Sequence, residues 1–214
     1  MRLELISHPL CPFVHRAAAM LREKGVTYDA RQVDLKAKPD WFLALSPRGK
    51  VPVLVADGVT LFESAAIVEF LDETHPPHIV PSDPYERARQ RAWIEVANDL
   101  FVAHYKLYTI GALGELAAAQ DALGAVLARF EPELRGDFFA GDAIGIVDFA
   151  VAPALFRIRM LERLLDRDLI GPLPRVGRWA DRLANRPSVA QSVVHDFAAQ
   201  YRTSVASRGV LLAS

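Results

Sequence analysis

The chain has 214 residues, of which 51% are hydrophobic and 24% charged, enough for one large domain or two small ones and too apolar for disorder. Lys plus Arg is 25 against 26 for Asp plus Glu, so the net charge of −1 excludes a strongly basic nucleic-acid binder and argues against electrostatic membrane binding. The single cysteine excludes an internal disulfide and a cysteine-rich metal site, and no metal is expected.

Leu3 to Ser7 is a short apolar run ending at His8-Pro9 and reads as a strand. Glu4 and Pro9 interrupt it, so it is not expected to be a signal peptide. Pro12 to Lys24 carries Phe13, Ala17, Met20 and Leu21 at helical spacing and stops at Gly25. Thr27 to Leu35 alternates imperfectly and reads as a second strand; Lys36 to Arg48 is a connection with a helical turn around Trp41-Phe42-Leu43. Val51 to Ala56 and Val59 to Phe62 form a hairpin about Asp57-Gly58, and Ser64 to Glu73 is a helix. Pro76, Pro77, Pro81 and Pro84 then stiffen a linker between two domains. The rest is helical. One helix starts at Asp83-Pro84 and runs to about Tyr108, and another spans Glu115 to Arg135 with a break near Pro132. The very apolar Val147 to Leu165 is the buried central helix, followed by Val176 to Asn185 and a last amphipathic helix from Ser188 to about Ser204. No run reaches the roughly 18 apolar residues of a membrane span, because Ile144 to Ile158 carries Asp148, Pro153 and Arg157. The expected compartment is the reducing cytoplasm.

Cys11 precedes Pro12, which favours the first helical position, so the cysteine is expected at the N-cap. There its sulfur faces free amides and the positive helix end, which predicts a thiol acidity increased by more than about a unit. A lone cysteine is more often a small buried hydrophobe; the strand–Cys–Pro–helix context favours reactivity. Position 14 is Val14, so no second cysteine is at hand for a dithiol cycle. The natural chemistry is then a mixed disulfide with an external thiol, glutathione being the abundant candidate.

Glu63-Ser64 ends a strand and opens a helix. A helix start receives a carboxylate and Glu63 can accept from an ammonium group, a pairing suited to an α-amino-acid end; Ser64 as a simple cap is the competing reading. Val51-Pro52 begins an apolar strand. A cis bond there would turn the Val51 backbone toward an extended ligand.

These elements, in this order, resemble the glutathione transferase family over essentially the whole chain, and its cysteine-using omega class by motif. The stretches that carry the likeness are Cys11-Pro12-Phe13, Lys36 to Phe42, Ser46 to Leu54, Glu63-Ser64 with Ile67, and Asp83 to Glu86. The resemblance implies an α/β thioredoxin-like N-terminal domain (1–75), a linker (76–84) and an all-α C-terminal domain (85–214). By position, it implies a mixed disulfide between Cys11 and glutathione. Val51 would pair with the cysteinyl part beside a cis Pro52, Glu63 and Ser64 would hold the γ-glutamyl end, Lys38 would meet the glycyl carboxylate, and Phe13 would line the thiol pocket. It also implies a homodimer. One departure is Gly145, where the family has a Ser or Thr cap before Asp148; a glycine cap costs only a few tenths of a kcal/mol.

A second-substrate pocket is expected from the long helix, where Phe101, His104, Tyr105 and Tyr108 share a face, although core or interface aromatics would show the same spacing. His8 and His15 flank Cys11, and neither is expected to be a base. The leading expectation is an omega-like thiol transferase acting on a small electrophilic or disulfide substrate, by deglutathionylation or dehydroascorbate-type reduction. The alternatives are a non-enzymatic interaction protein on the same scaffold, like the starvation-response regulators, and a conjugating transferase that uses Ser7 or a tyrosine.

Overall fold

A computed structural model describes residues 1–208. The N-terminal part runs β1 (Leu3–Ser7), α1 (Pro12–Glu23), β2 (Asp29–Gln32), α2 (Asp40–Leu45), β3 (Val53–Ala56), β4 (Val59–Phe62) and α3 (Ser64–Thr74). The sheet order is β2-β1-β3-β4, with β1 parallel to β2 and antiparallel to β3, which is antiparallel to β4. β1 is therefore an interior strand, and Leu3, Leu5 and Ile6 are all buried, which explains its mostly apolar run. α1 and α3 pack together beside the sheet.

The second strand is shorter than its alternation predicts. All four residues of β2 are exposed at the sheet edge. Beyond Gln32, one more amide, Val33 N, reaches Ser7 O before Asp34 turns the chain by accepting from Lys36 N. The connection after it contains α2, a full helix rather than a single turn.

The helical part runs α4 (Pro84–Tyr108), α5 (Leu116–Phe130), α6 (Ile146–Leu165), α7 (Pro174–Asn185), α8 (Pro187–Ala190) and α9 (Phe197–Arg208). Asp83 caps α4 by accepting from Glu86 N at 2.7 Å, with Pro84 in the first turn. α6 is the central helix, packed against α1, α4 and α7. The expected last helix is divided. Ser192 N bonds Val189 O instead of continuing the ladder to Ser188 O, while His15 Nε2 also bonds Val189 O and Ser192 Oγ donates to Ser188 O. The proline linker is tied down by Asp72, whose buried carboxylate accepts from Ile79 N, Val80 N and Lys24 Nζ. Among the described residues no helix is long and apolar enough to cross a membrane.

Asp148 fixes the start of α6. It accepts from Gly145 N at 2.7 Å, Phe139 N at 3.0 Å and Trp179 Nε1 at 2.7 Å, so glycine at the cap is compensated by the aspartate three residues on. Burial lifts its carboxyl to about 6 in spite of these bonds. Asp148→Ala strands three buried donors, each costing about 1–3 kcal/mol. Urea unfolding is expected to show a loss of about 3 kcal/mol or more; a loss under about 1 kcal/mol contradicts this role.

Candidate active site

Cys11 is the N-cap of α1, with extended backbone angles and Pro12 next in line. Its own amide bonds His8 O at 3.1 Å, and its carbonyl accepts the first helical bond from His15 N. The half-buried thiol donates to Val51 O at 3.8 Å. Burial is the largest influence on this thiol and pushes it above the ordinary cysteine value. The amides of Val14 and Phe13 and the charges of Arg157 and Arg16 pull it down, without prevailing. This corrects the expectation of an acidified thiol. The helix start is present as predicted, but the protein packed around the sulfur withdraws the water a thiolate needs.

Two buried arginines stand near the sulfur. Arg16, on α1, donates to Ser64 Oγ at 3.1 Å and to Ala150 O at 2.9 Å, and its guanidinium lies 5.2 Å from the Phe101 ring centre and 5.5 Å from that of Phe13. Arg157, on α6, donates to Pro153 O, Leu10 O and His15 Nδ1. Burial lowers each to about 10, so both are cations at neutral pH. A guanidinium only donates, so His15 Nδ1 is the acceptor and the ring proton sits on Nε2, facing Val189 O at 2.8 Å. Burial and the Arg157 charge lower His15 to about 3. It is a neutral buried bridge, not a solvated histidine or a base.

On one side of the thiol lies a groove of about 430 Å³ that includes Phe13, Arg16, Ser46, Arg48, Lys50, Val51, Pro52, Glu63 and Ser64 in its lining. The Val51–Pro52 peptide is cis. Ser46 Oγ closes the preceding loop by bonding both Lys50 N and Lys50 O. Ser64 is the first residue of α3, and its hydroxyl accepts from Arg16 rather than capping the helix. Glu63 precedes it at φ 68°, a conformation rare for an L side chain, and its carboxylate is paired with Arg48. Lys38 is exposed and is not part of this lining. A Cβ on Gly49, between the lining residues Arg48 and Lys50, would stand 3.4 Å from Lys38 Nζ, which puts the ammonium at the rim.

On the other side lies an aromatic cavity of about 290 Å³. Its walls include Cys11, His8, Phe101, His104, Tyr105, Tyr108, Arg157 and Tyr201, so the four aromatic positions read from helical spacing border one space. Phe13 and Phe101, with ring centres 4.8 Å apart, stand between groove and cavity. His104 Nε2 bonds Tyr201 O–H at 2.9 Å, and burial lowers the imidazole to about 3, so it is not a proton donor at neutral pH. Tyr108 O–H bonds Ser204 Oγ. Ser7 is buried and borders a separate small cavity with Tyr28.

Arg16, Arg157 and Tyr201 are the site residues that sequence reasoning missed. For both arginines a signal existed: each stands in a helix stretch otherwise apolar enough to be buried, where a guanidinium needs specific partners.

Residues 10–74 match the family model of the glutathione S-transferase N-terminal domain, and residues 112–187 that of the C-terminal domain. Glutathione S-transferase omega-1 of Sus scrofa is 27% identical over 193 residues, covering 88% of this chain and 79% of that protein. Glutathione S-transferase U22 of Arabidopsis thaliana is 35% identical over 191 residues, covering 86% of each. Among solved structures, rice GST1 in complex with glutathione superposes with a TM-score of 0.85 at 27% identity, over 97% of this chain and 96% of that one. Glutathione transferase Omega 3C from Trametes versicolor gives 0.79 at 26% identity, over 90% and 89%.

The balance at Cys11 is open to titration. Alkylation of the ligand-free protein by iodoacetamide is expected to accelerate with pH through a midpoint above that of a free cysteine thiol. A midpoint below it means the amides and arginines outweigh burial.

Proposed function

The chain belongs to the glutathione S-transferase family, and within it we propose a glutathione-dependent thiol transferase that carries glutathione as a mixed disulfide on Cys11. The supporting observation is the position of the thiol. It borders the aromatic cavity and donates to Val51 O in the wall of the groove, and the chain has no second cysteine. A single sulfur between two compartments suits exchange between a tripeptide in one and a leaving group in the other.

In this reading the tripeptide lies along the groove. The Val51 backbone, beside cis Pro52, pairs with its cysteinyl unit, and Phe13 lines the space around the sulfur. Glu63 and Ser64 at the start of α3 hold the γ-glutamyl end. Because Arg16 donates to Ser64 Oγ, the serine proton is free to donate to a carboxylate. Lys38 meets the glycyl carboxylate from the rim. Phe101, His104, Tyr105 and Tyr108 wall the second-substrate pocket.

Cys11, once deprotonated, attacks the glutathionyl sulfur of the substrate. The Cys11–S–SG bond forms, the bond to the leaving group breaks, and that group departs with the electron pair. A second glutathione thiolate then attacks the glutathionyl sulfur, giving oxidised glutathione and restoring the Cys11 thiolate. Deglutathionylation follows this course directly; dehydroascorbate-type reduction follows it once a first glutathione has added to a substrate carbonyl, so that Cys11 takes the sulfur of that adduct and the carbon skeleton leaves with the electron pair. The reading includes a homodimer in the reducing cytoplasm.

A second reading is conventional conjugation. The observation that favours it is the raised Cys11 thiol, which at neutral pH is an S–H donor able to steady a glutathione thiolate without being alkylated. Cys11→Ser separates the two. Thiol transfer is expected to fall by about 100-fold or more, since serine cannot form the disulfide. Thiol transfer retained by the variant overturns the proposal, and a wild-type protein that conjugates glutathione but shows no thiol transfer selects the second reading.

A further inference from the structure

Arg157 is a buried cation with neutral neighbours. It is 2% exposed, and among the described residues no Asp or Glu lies within ion-pair distance of it. Its acceptors are two backbone carbonyls and a neutral imidazole. Those bonds use both Nη1 hydrogens and one on Nη2, so Nε–H and the second Nη2–H have no acceptor among the described residues. The guanidinium borders the aromatic cavity, whose lining contains no carboxylate among the described residues. The hydroxyls of Tyr201 and Tyr108 lie near enough to feel its charge. A buried cation without a counter-ion is costly, and an anion arriving in the cavity offsets that cost.

We propose that Arg157 makes this cavity a receptor for a compact single-ring anion, so that the favoured leaving group is an aromatic thiol bearing a carboxylate. The inference rests on the thiol-transfer reading above. About 290 Å³ between the rings of Phe101, Tyr105 and Tyr108 holds one aromatic ring and leaves little space for a second. Arg157 supplies the donor pair that a carboxylate matches. In the resting enzyme the charge of the same cation also acts on the Cys11 sulfur. Once the mixed disulfide forms, that sulfur is neutral and the cation again has no counter-charge of its own. In the transfer, Cys11–S⁻ takes the glutathionyl sulfur, the aryl sulfur leaves as thiolate with the electron pair, and the thiol proton of the second glutathione neutralises it.

The test uses two glutathione mixed disulfides, one with 4-mercaptobenzoic acid and one with 4-mercaptobenzamide, which share shape and differ in charge. After correction for the uncatalysed exchange, wild-type kcat/KM is expected to favour the acid by about tenfold, the scale of one charge-assisted hydrogen bond. Arg157→Gln is expected to bring that ratio near one by lowering turnover of the acid, and Arg157→Lys to restore part of it. Equal wild-type turnover of the two disulfides overturns the inference and leaves thiol transfer standing. So does an Arg157→Gln that slows both equally, which marks a positioning role. If that variant does not fold, the wild-type ratio decides. Turnover of neither disulfide overturns the thiol-transfer reading instead. The anion receptor is then decided by whether benzoate, and not benzamide, protects Cys11 from iodoacetamide; equal protection, or none, overturns it.

Discussion

A sulfur at a helix start, enclosed by protein and flanked by two guanidinium groups, is the constraint around which the rest of the molecule is arranged. Enclosure favours the thiol, and the amides and cations favour the thiolate; enclosure is the larger influence in the ligand-free protein. The reactive sulfur is thus held back but surrounded by groups that stabilise it once ionised. The Val51 carbonyl accepts a hydrogen bond from the resting thiol, and Val51 belongs to the wall of the groove.

The arginines also join the two parts of the chain. Arg16 starts on α1 and reaches Ser64 on α3, Asn98 on α4 and Ala150 on α6. Arg157 starts on α6 and reaches Leu10, just ahead of Cys11, and His15 on α1. The floor of the groove and the wall of the aromatic cavity are therefore each tied by a buried arginine that spans α1 and α6. The bond from Arg157 fixes which nitrogen of His15 carries the proton, and burial keeps the ring neutral.

Most of the fold was legible because its signals are local. The apolar run of Leu3–Ser7, the proline after Cys11, the Asp57-Gly58 turn and the Asp83-Pro84 cap each act within a few residues. The failures came where distant groups decide. The helix predicted from Ser188 is divided where Ser192 N bonds Val189 O rather than Ser188 O, and His15, far away in sequence, reaches the same carbonyl. The shift of the Cys11 thiol depends on what packs over the helix start, which no local pattern records. Helical spacing grouped Phe101, His104, Tyr105 and Tyr108, but Tyr201 joins them only through the return of α9. Lys38 carries no local signal of its own and is singled out only by the family resemblance; the loop through Gly49 holds its ammonium at the rim of the groove. Arg157 was visible as a charge in an apolar helix, and its meaning appeared only once His15 and Leu10 stood beside it.

The most direct measurement is the intact mass of the wild-type protein after incubation with oxidised glutathione, followed by peptide mapping. The account predicts a gain of one glutathionyl group per chain, located on Cys11 and removed by reduced glutathione. A protein whose Cys11 still reacts with iodoacetamide, yet takes up no glutathionyl group, would contradict it.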